Sequence, residues 1–593
     1  MVDDRNPDTL SGDILDGRLN RRTLLKRAAL FGISAPVIAG LLAACGGDED
    51  EVADAPTEPA GATSPANATS PPASGDSSPT AGSTEPSTSA TEPSASAGEG
   101  VFGGRLRVAG TGQPAGLDNQ YIAQRTVTMI SWHMFEALFT FDGEYETVPM
   151  LAEGIEVSDD GLTATVTLRQ GVPFHNGDEM VAADVIASFE RWAPVSSLGL
   201  AIQPSLESLT EVDQYTVEFS LSAPLASLPS MLARQAQGLS IHPASIMEAN
   251  MDTTLSDDGY IGTGPYRFVE RLVDRYTLLE RFDEYVGVDS PPSGYAGSKA
   301  AYFDEIEFIP VPDEAARVAG LQSGEYHYLE EIIPDQIEVI GGDENVNIVI
   351  LPPRSYGVIP MNTAAGMFSD VRLRKAVQAA ISVTPSGLAT HGEGYFETGP
   401  GIMLPQTAWH SEVSSEFYDM GDPELAAQLL EEAGYDGTPI RIACTQEDLG
   451  DYNAAVVAQQ QLEEAGFTVE LSVTDEATLD ETLEDEDAWD MTTAAYVFRP
   501  DPILIAAFAS CTADGAWCSD EKLAIIDRLK TGATFEDRFA AFEELQALWY
   551  EEAPAIKLVN NYGVAALAAS VQNAIESTHF EIEPEFVNSW FEE

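Results

Sequence analysis

The chain is short of positive charge. Against 97 Asp and Glu it carries 29 Lys and Arg, only six of them lysine, for a formal net charge of −68. That balance excludes nucleic acid as a partner, because phosphate binding needs clustered cations. Abundant carboxylates with scarce lysine instead read as a heavily solvated surface suited to salty surroundings, where counterions screen self-repulsion. Catalytic signatures are missing as well. No histidine is followed by glutamate, so there is no H-E-x-x-H zinc helix, no G-x-S-x-G elbow occurs, and the absence of any Gly-Lys dipeptide rules out a Walker A loop. His133, His175, His242, His327, His391, His410 and His579 show no ligand spacing. His391 and His410 are the two that could meet a metal chelate, against the ordinary reading of solvated or packed imidazoles. The chain is therefore read as a non-enzyme with no cofactor and no metal site.

Cysteine is also sparse, with four in 593 residues. Cys511 and Cys518 sit seven apart in a turn-rich segment containing Asp514-Gly515 and are expected to form a disulfide outside the cytoplasm. Cys444 lies in an apolar strand-like run and reads as a buried small hydrophobe. Cys45 ends Leu42-Ala43-Ala44-Cys45, which is similar to a bacterial lipobox and makes Cys45 the expected lipidation site. Before it, Arg21-Arg22 precede the run Ala28 to Ala44, whose only polar side chain is Ser34. That run is shorter than the roughly 20 residues a bilayer span needs. Residues 1–45 thus resemble a twin-arginine signal peptide and place the protein outside the cytoplasm, anchored to the membrane at the cell surface or in a periplasm. Residues 46–100 lack aromatics, Leu and Ile, cannot bury enough apolar surface to fold, and read as a disordered tether.

The remaining 493 residues, 101–593, are too many for one simple domain. Leu162, Ala164, Val166 and Leu168 alternate with threonines after the turn Ser158-Asp159-Asp160-Gly161, and Tyr215, Val217, Phe219 and Leu221 repeat the period, so the two runs are expected to pair as strands. Asp422-Pro423 caps a helix that Gly434 ends, and another helix runs from Asp313 towards Gly324 after the strand Ile306 to Val311. Ile440 to Cys444, a helix to Ala465, and Phe467 to Val473 read as a βαβ unit with parallel strands. The pattern is α/β.

Leu168 to Trp192 reads Leu-Arg-Gln-Gly-Val-Pro-Phe-His-Asn-Gly-Asp-Glu-Met-Val-Ala-Ala-Asp-Val-Ile-Ala-Ser-Phe-Glu-Arg-Trp. It resembles the signature of family 5 extracellular solute-binding proteins, the peptide and nickel class of receptors for ATP-driven (ABC) importers. Further segments match in family order: Leu106 to Asp118, Val148 to Glu153, Ile261 to Tyr266, Leu321 to Glu325, Ser369 to Ala376 and Asp422 to Tyr435. The resemblance implies a type II periplasmic-binding-protein-like clamp of two α/β lobes, with an extra domain inserted in the first. Carried over, the first lobe is 101–131, 273–361 and 555–593, the insertion 132–272, and the second lobe 362–554, with crossings near Met361-Asn362 and Ala553-Pro554. It implies a substrate-binding component of an ABC importer, working as a monomer with permease and ATPase subunits and capturing a peptide or peptide-like solute between its lobes. A non-peptide solute (sugar, opine-like or metal chelate) or a chemosensory role stands as the alternative.

In peptide-binding relatives an aspartate pairs with the peptide's amino terminus three residues before the acid of an Asp/Glu-Pro pair. Here that pair resembles Asp501-Pro502, which puts Phe498 at the anchor position, where a ring can stack on a cation or sugar face but cannot neutralise an ammonium. The resemblance further points to Gln124 and Arg125 as the first-lobe contact, to Thr445, Gln446, Tyr452 and Asn453 after the Cys444 strand, and to Tyr496 and Arg499 beside Phe498. Trp409 and Trp517 are additional aromatic candidates.

Overall fold

A computed structural model describes residues 100–593, apart from 330, 331, 333, 512–514, 575–584 and 593. The expected leader with Cys45, and all of the expected tether except Gly100, lie outside these residues, as does Asp514.

The chain opens on β1 (Arg105–Gly110). A short hairpin follows, β2 (Phe139–Phe141) with β3 (Thr147–Pro149), and then β4 (Ala152–Val157), β5 (Thr163–Leu168), β6 (Leu206–Asp213) and β7 (Thr216–Leu221) form a four-stranded antiparallel sheet in the order β4-β5-β7-β6. Its two alternating runs, β5 and β7, are direct neighbours. Ala164, Val166, Leu168, Val217, Phe219 and Leu221 bury on the face covered by the helix Ala182–Trp192, which supplies Val185, Phe189 and Trp192. Period two on the strands and 3.6 on the helix bring these apolar rows together.

A larger sheet carries the frame. Along the chain it takes β8 (Tyr266–Leu272), β9 (Tyr276–Arg281), β10 (Glu305–Pro310), β11 (Tyr328–Leu329), the long β12 (Val346–Pro360) and the short β13 (Phe396–Glu397). β1 lies parallel to β10 and β11. The assumed domain boundary at 272 falls after β8, yet β8 pairs with β9 at the edge of this sheet, because Tyr266 and Phe268 continue its apolar row.

The third region is the parallel sheet β14 (Ile440–Thr445), β15 (Val469–Thr474) and β16 (Met491–Thr492), with the helix Leu449–Glu464 linking the first two. Caps act as the sequence indicates. Asp422 accepts from the Leu425 amide at 2.9 Å, Pro423 takes the first turn, and Gly434 closes the helix at φ +79°, a value costly for any side chain. Asp313 caps Glu314–Ser323 in the same way.

Two elements tie the regions together. β17 (Ala494–Val497) leaves the parallel sheet after β16 and joins the large sheet beside β12. β18 (Ala555–Ala568) then pairs antiparallel with β12 from Val346↔Ala568 to Pro360↔Ala555, with register shifts around Pro352-Pro353 and between Tyr356 and Val358. The Met361 amide donates to the Pro554 carbonyl at 2.9 Å, so the two expected crossings lie side by side. The core of the four-stranded sheet continues without a break into the helices Asp520–Thr531 and Phe535–Glu552, so the expected insertion shares its interior with late residues of the chain. Cys511 and Cys518 are joined by a disulfide, and Cys444 is free and buried. Among the described residues, no helix is long and apolar enough to cross a membrane.

Candidate functional site

β17 is four residues long, and its period of two decides what it presents. Tyr496 turns inward and meets the Tyr356 ring edge-on at 5.7 Å, while Ala495 and Val497 face the open side, Val497 at 47% exposure. Cross-strand partners share a face. Gly357 and Ser355 therefore lie beside Ala495 and Val497, and Asn561 of β18 lies beside Ser355, whose Oγ accepts from its Nδ2 at 3.1 Å. The outcome is a floor of small side chains on strands shared by both halves of the molecule, open to a solute and flanked at each end by a cavity.

The cavity at the Phe498 end holds about 420 Å³. Phe139, Tyr145 and Pro149 from the β2–β3 hairpin form one wall, and Trp409, Phe498 and Phe535 the other. Two of its three charged groups are paired with each other: Arg538 donates to the buried Asp501 carboxylate at 2.5 Å and lies 4.9 Å over the Trp409 ring, while Glu146 is exposed at the rim. Tyr145 holds φ at +66°, a conformation that favours glycine, at a hairpin turn where its amide donates to Asp142 O at 3.0 Å. Aromatic walls interspersed with polar groups, in a hollow of this size, are compatible with a small-molecule site.

The cavity at the Ala494 end is smaller, about 130 Å³. Ser386, Thr390 and His391 line it from one helix end, Asp448, Gly450 and Asp451 from the start of Leu449–Glu464, and Asn561 from β18. Asp448 caps that helix by accepting from the Asp451 amide at 2.9 Å. Burial, with Asp448 and Glu476 nearby, pushes the Asp451 carboxyl up to about 6, and burial pulls the His391 imidazole down. Two other hollows, of about 600 and 590 Å³, include no residue of β12, β17 or β18.

Tyr496, Phe498 and Arg499 come together on β17 and its end. Phe498 is only 2% exposed, with its ring 6.3 Å from Phe141 and 5.8 Å from Tyr145, so it serves as a wall between hairpin and strand rather than an open stacking platform. Arg499 Nη1 donates to the Phe498 carbonyl at 2.8 Å. Thr445 is buried and its hydroxyl accepts from the Glu447 amide; Gln446 is exposed; Tyr452 packs on the core around the parallel sheet; Asn453 donates to the Ala389 carbonyl. None of these four lines either cavity. Gln124 and Arg125, at the start of the helix Arg125–Ser131, also line neither. Trp517 is buried and its indole donates to Glu552. Of the two histidines singled out, His391 lies at the smaller cavity. The residues missed by sequence reasoning, Asp448 and Asp451, sit three apart at a helix start, a spacing that reads first as capping.

A buried lysine stands under the floor. The Lys557 ammonium bonds Asn560 Oδ1 at 2.7 Å and lies 4.9 Å from the Tyr356 ring, and burial pulls its pKa from 10.5 down to about 7, opposed by Glu397. The unfolded chain keeps this proton up to about 10.5 while the fold releases it near 7, so the unfolding free energy should rise between those values by up to about 1.4 kcal/mol per pH unit. Below pH 7 both states are protonated and the stabilisation is gone. Urea midpoints of wild type and Lys557→Met at pH 7, 8 and 9 should converge as pH rises, with the methionine variant the more stable at pH 7. Parallel profiles would contradict a buried, titrating lysine.

Comparison with known proteins places this geometry in a family. Residues 146–515 match the model described as bacterial extracellular solute-binding proteins, family 5 Middle. A probable peptide ABC transporter periplasmic-binding protein of Sinorhizobium fredii is 28% identical over 463 residues, covering 75% of this chain and 86% of the relative. A glutathione-binding protein of Salmonella paratyphi A is 28% identical over 359 residues, covering 60% and 67%. Among solved structures, an ABC transporter substrate-binding protein of Listeria monocytogenes, CtaP, superposes with a TM-score of 0.73 at 21% identity, covering 83% of this chain and all of that one.

Proposed function

The chain belongs to the bacterial extracellular solute-binding proteins of family 5, a family of non-catalytic receptors, and we propose that it is the receptor of an ABC importer that captures a peptide or peptide-like solute on the β12–β17–β18 floor. The observation that carries this reading is that floor: strands shared between two regions leave small, exposed side chains between two cavities, where a solute can be enclosed by both halves at once. The names of the Sinorhizobium and Salmonella relatives support a peptide-like cargo. Lobes at 101–131 with 273–361 and 555–593, and at 362–554, bridged by the paired strands, fit such a clamp. An exported, lipid-anchored form through Arg21-Arg22 and Cys45, on a tether from 46 to 100, would keep the receptor at the membrane holding its permease and ATPase partners. Of the expected contacts, Phe498 as a cavity wall and Arg499 just past the end of β17 are the ones this reading keeps near the solute, Tyr496 facing inward on Tyr356. The paired Asp501 and the aromatic surroundings of Phe498 favour solutes not held at that point by a free amino terminus.

Titrating the purified protein with di- to tetrapeptides and with glutathione should raise its Tm, with about 2.7 kcal/mol of added stability at a ligand concentration one hundred times Kd. The ligand should be recovered unchanged. Conversion of any stabilising ligand into product would sink the receptor reading.

A further inference from the structure

We propose that the cavity at the Ala494 end of β17 receives a cationic group of the captured solute, an ammonium or a guanidinium, held by Asp451 together with Asn561 and Thr390. This rests on the receptor reading and names the chemistry of one end of its site.

The lining residues call for a donor. No lysine or arginine is among them, and two carboxylates are. Asp448 is engaged as a helix cap, but the Asp451 carboxylate has no hydrogen-bond or ion-pair partner among the described residues. A partly buried carboxylate without a partner is an expensive arrangement unless something else supplies the cation. A second acceptor is also waiting. Asn561 spends its Nδ2 on Ser355, and its Oδ1, which meets the His391 imidazole in the same hollow, keeps a second lone pair to offer. Thr390 donates its hydroxyl proton to the Ser386 carbonyl at 2.9 Å, which leaves its oxygen as an acceptor. Three acceptors from three elements therefore face one hollow of about 130 Å³, room for an ammonium or guanidinium head but not for a whole peptide. An acidic surface patch does not explain this, because Asp451, Thr390 and Asn561 are each only partly exposed and line one hollow beside β17.

The opposite cavity reinforces the assignment. There the acid Asp501 is consumed by Arg538 and the anchor position is a phenyl ring, so the remaining carboxylate of the lining is the solvent-exposed Glu146. The two ends of β17 thus differ in kind: aromatic at Phe498, acceptor-rich at Ala494.

The groups facing Asp451 are Asp448 on its own helix, Glu476 at the start of the next, the Cys444 thiol on β14 and His391. With acids, a thiol and an imidazole that burial pulls down about it, the carboxylate is ionised above about 6, and cation binding should weaken as pH falls through that value.

Calorimetric titration of the purified full chain tests this with paired probes: tripeptides ending in Lys or Arg against the same peptides ending in norleucine or citrulline, and agmatine against butylamide. The cationic member of each pair should bind at least tenfold more tightly. Asp451→Asn should remove at least that factor for cationic probes alone, at an unchanged Tm. Ala495→Lys, which places an ammonium at the cavity mouth from an exposed strand position, should do the same should the first variant fold poorly. Equal affinity within the pairs, cationic probes unaffected by both substitutions, or no binding of any cationic probe would overturn the assignment. Tight binding of the neutral probes without turnover would do so while leaving the receptor reading intact.

Discussion

Replacing Arg191 by methionine is expected to lower the unfolding free energy by about 3–5 kcal/mol, the range for breaking a buried ion pair by removing one partner. Arg191 is fully buried, and its guanidinium spends five N–H donors on five acceptors: Asn250 O at 2.9 Å, Gln120 Oε1 at 2.8 Å, Thr253 O at 2.6 Å, and the two oxygens of Asp118 at 3.2 and 2.5 Å. Asp118, also buried, further accepts from the Leu255 amide at 2.8 Å. Removing the arginine strands that carboxylate, two backbone carbonyls and the Gln120 amide oxygen. The double substitution Arg191→Met with Asp118→Leu should cost less than the sum of the singles, and a double-mutant cycle in urea measures the difference. Additive losses would mean the pair contributes no coupling. The bond joins a segment near the start of the chain to the last turn of the helix Ala182–Trp192, which is why Leu117-Asp118 and Glu190-Arg191-Trp192, far apart in sequence, travel together.

Phe498→Asp, which restores a carboxylate to the position that holds peptide amines in relatives, should not create an amine site. The side chain would enter a space bounded by Phe141 and Tyr145, three residues from Asp501, with Arg538 already committed. A carboxylate there is desolvated and unpaired, and the lost ring leaves a void, so stability should fall by about 3–5 kcal/mol while dipeptide affinity stays at the wild-type level. Thermal unfolding and dipeptide titration of the variant decide it. Gain of tight dipeptide binding at unchanged Tm would show the ring to be replaceable and the position to face the solute.

Much of the frame was legible because it is written locally. The threonine alternation of β5, the Asp422 and Gly434 caps and the βαβ spacing each declare an element within a dozen residues, and the structure builds each in place. Arg191 could be read as part of a motif, but its partner could not, since only the fold brings Asp118 to it. The site was less legible for the same reason. Phe498 follows an exposed strand and would stack in a cleft if nothing met it, but a hairpin distant in sequence does. Thr445 ends the strand where α/β sites form and Tyr452 and Asn453 follow in the helix Leu449–Glu464, yet the first turn of that helix directs Asp451 to the cavity beside β17 instead. Which face of a helix meets a neighbour is set by packing partners, and a capping pattern conceals a carboxylate that also points elsewhere.

The broken register of β12 against β18 has a mechanical side. Pro352-Pro353 cannot donate to the ladder, and the partners slip between Leu351 and Val358, while the rungs on either side, Val346–Leu351 and Val358–Pro360, stay in step. Two stiff plates joined by a short compliant flexure bend about one axis and resist twisting. A substitution that restored regular rungs in this stretch would stiffen the clamp and slow its closing, although it touched no atom of the cargo.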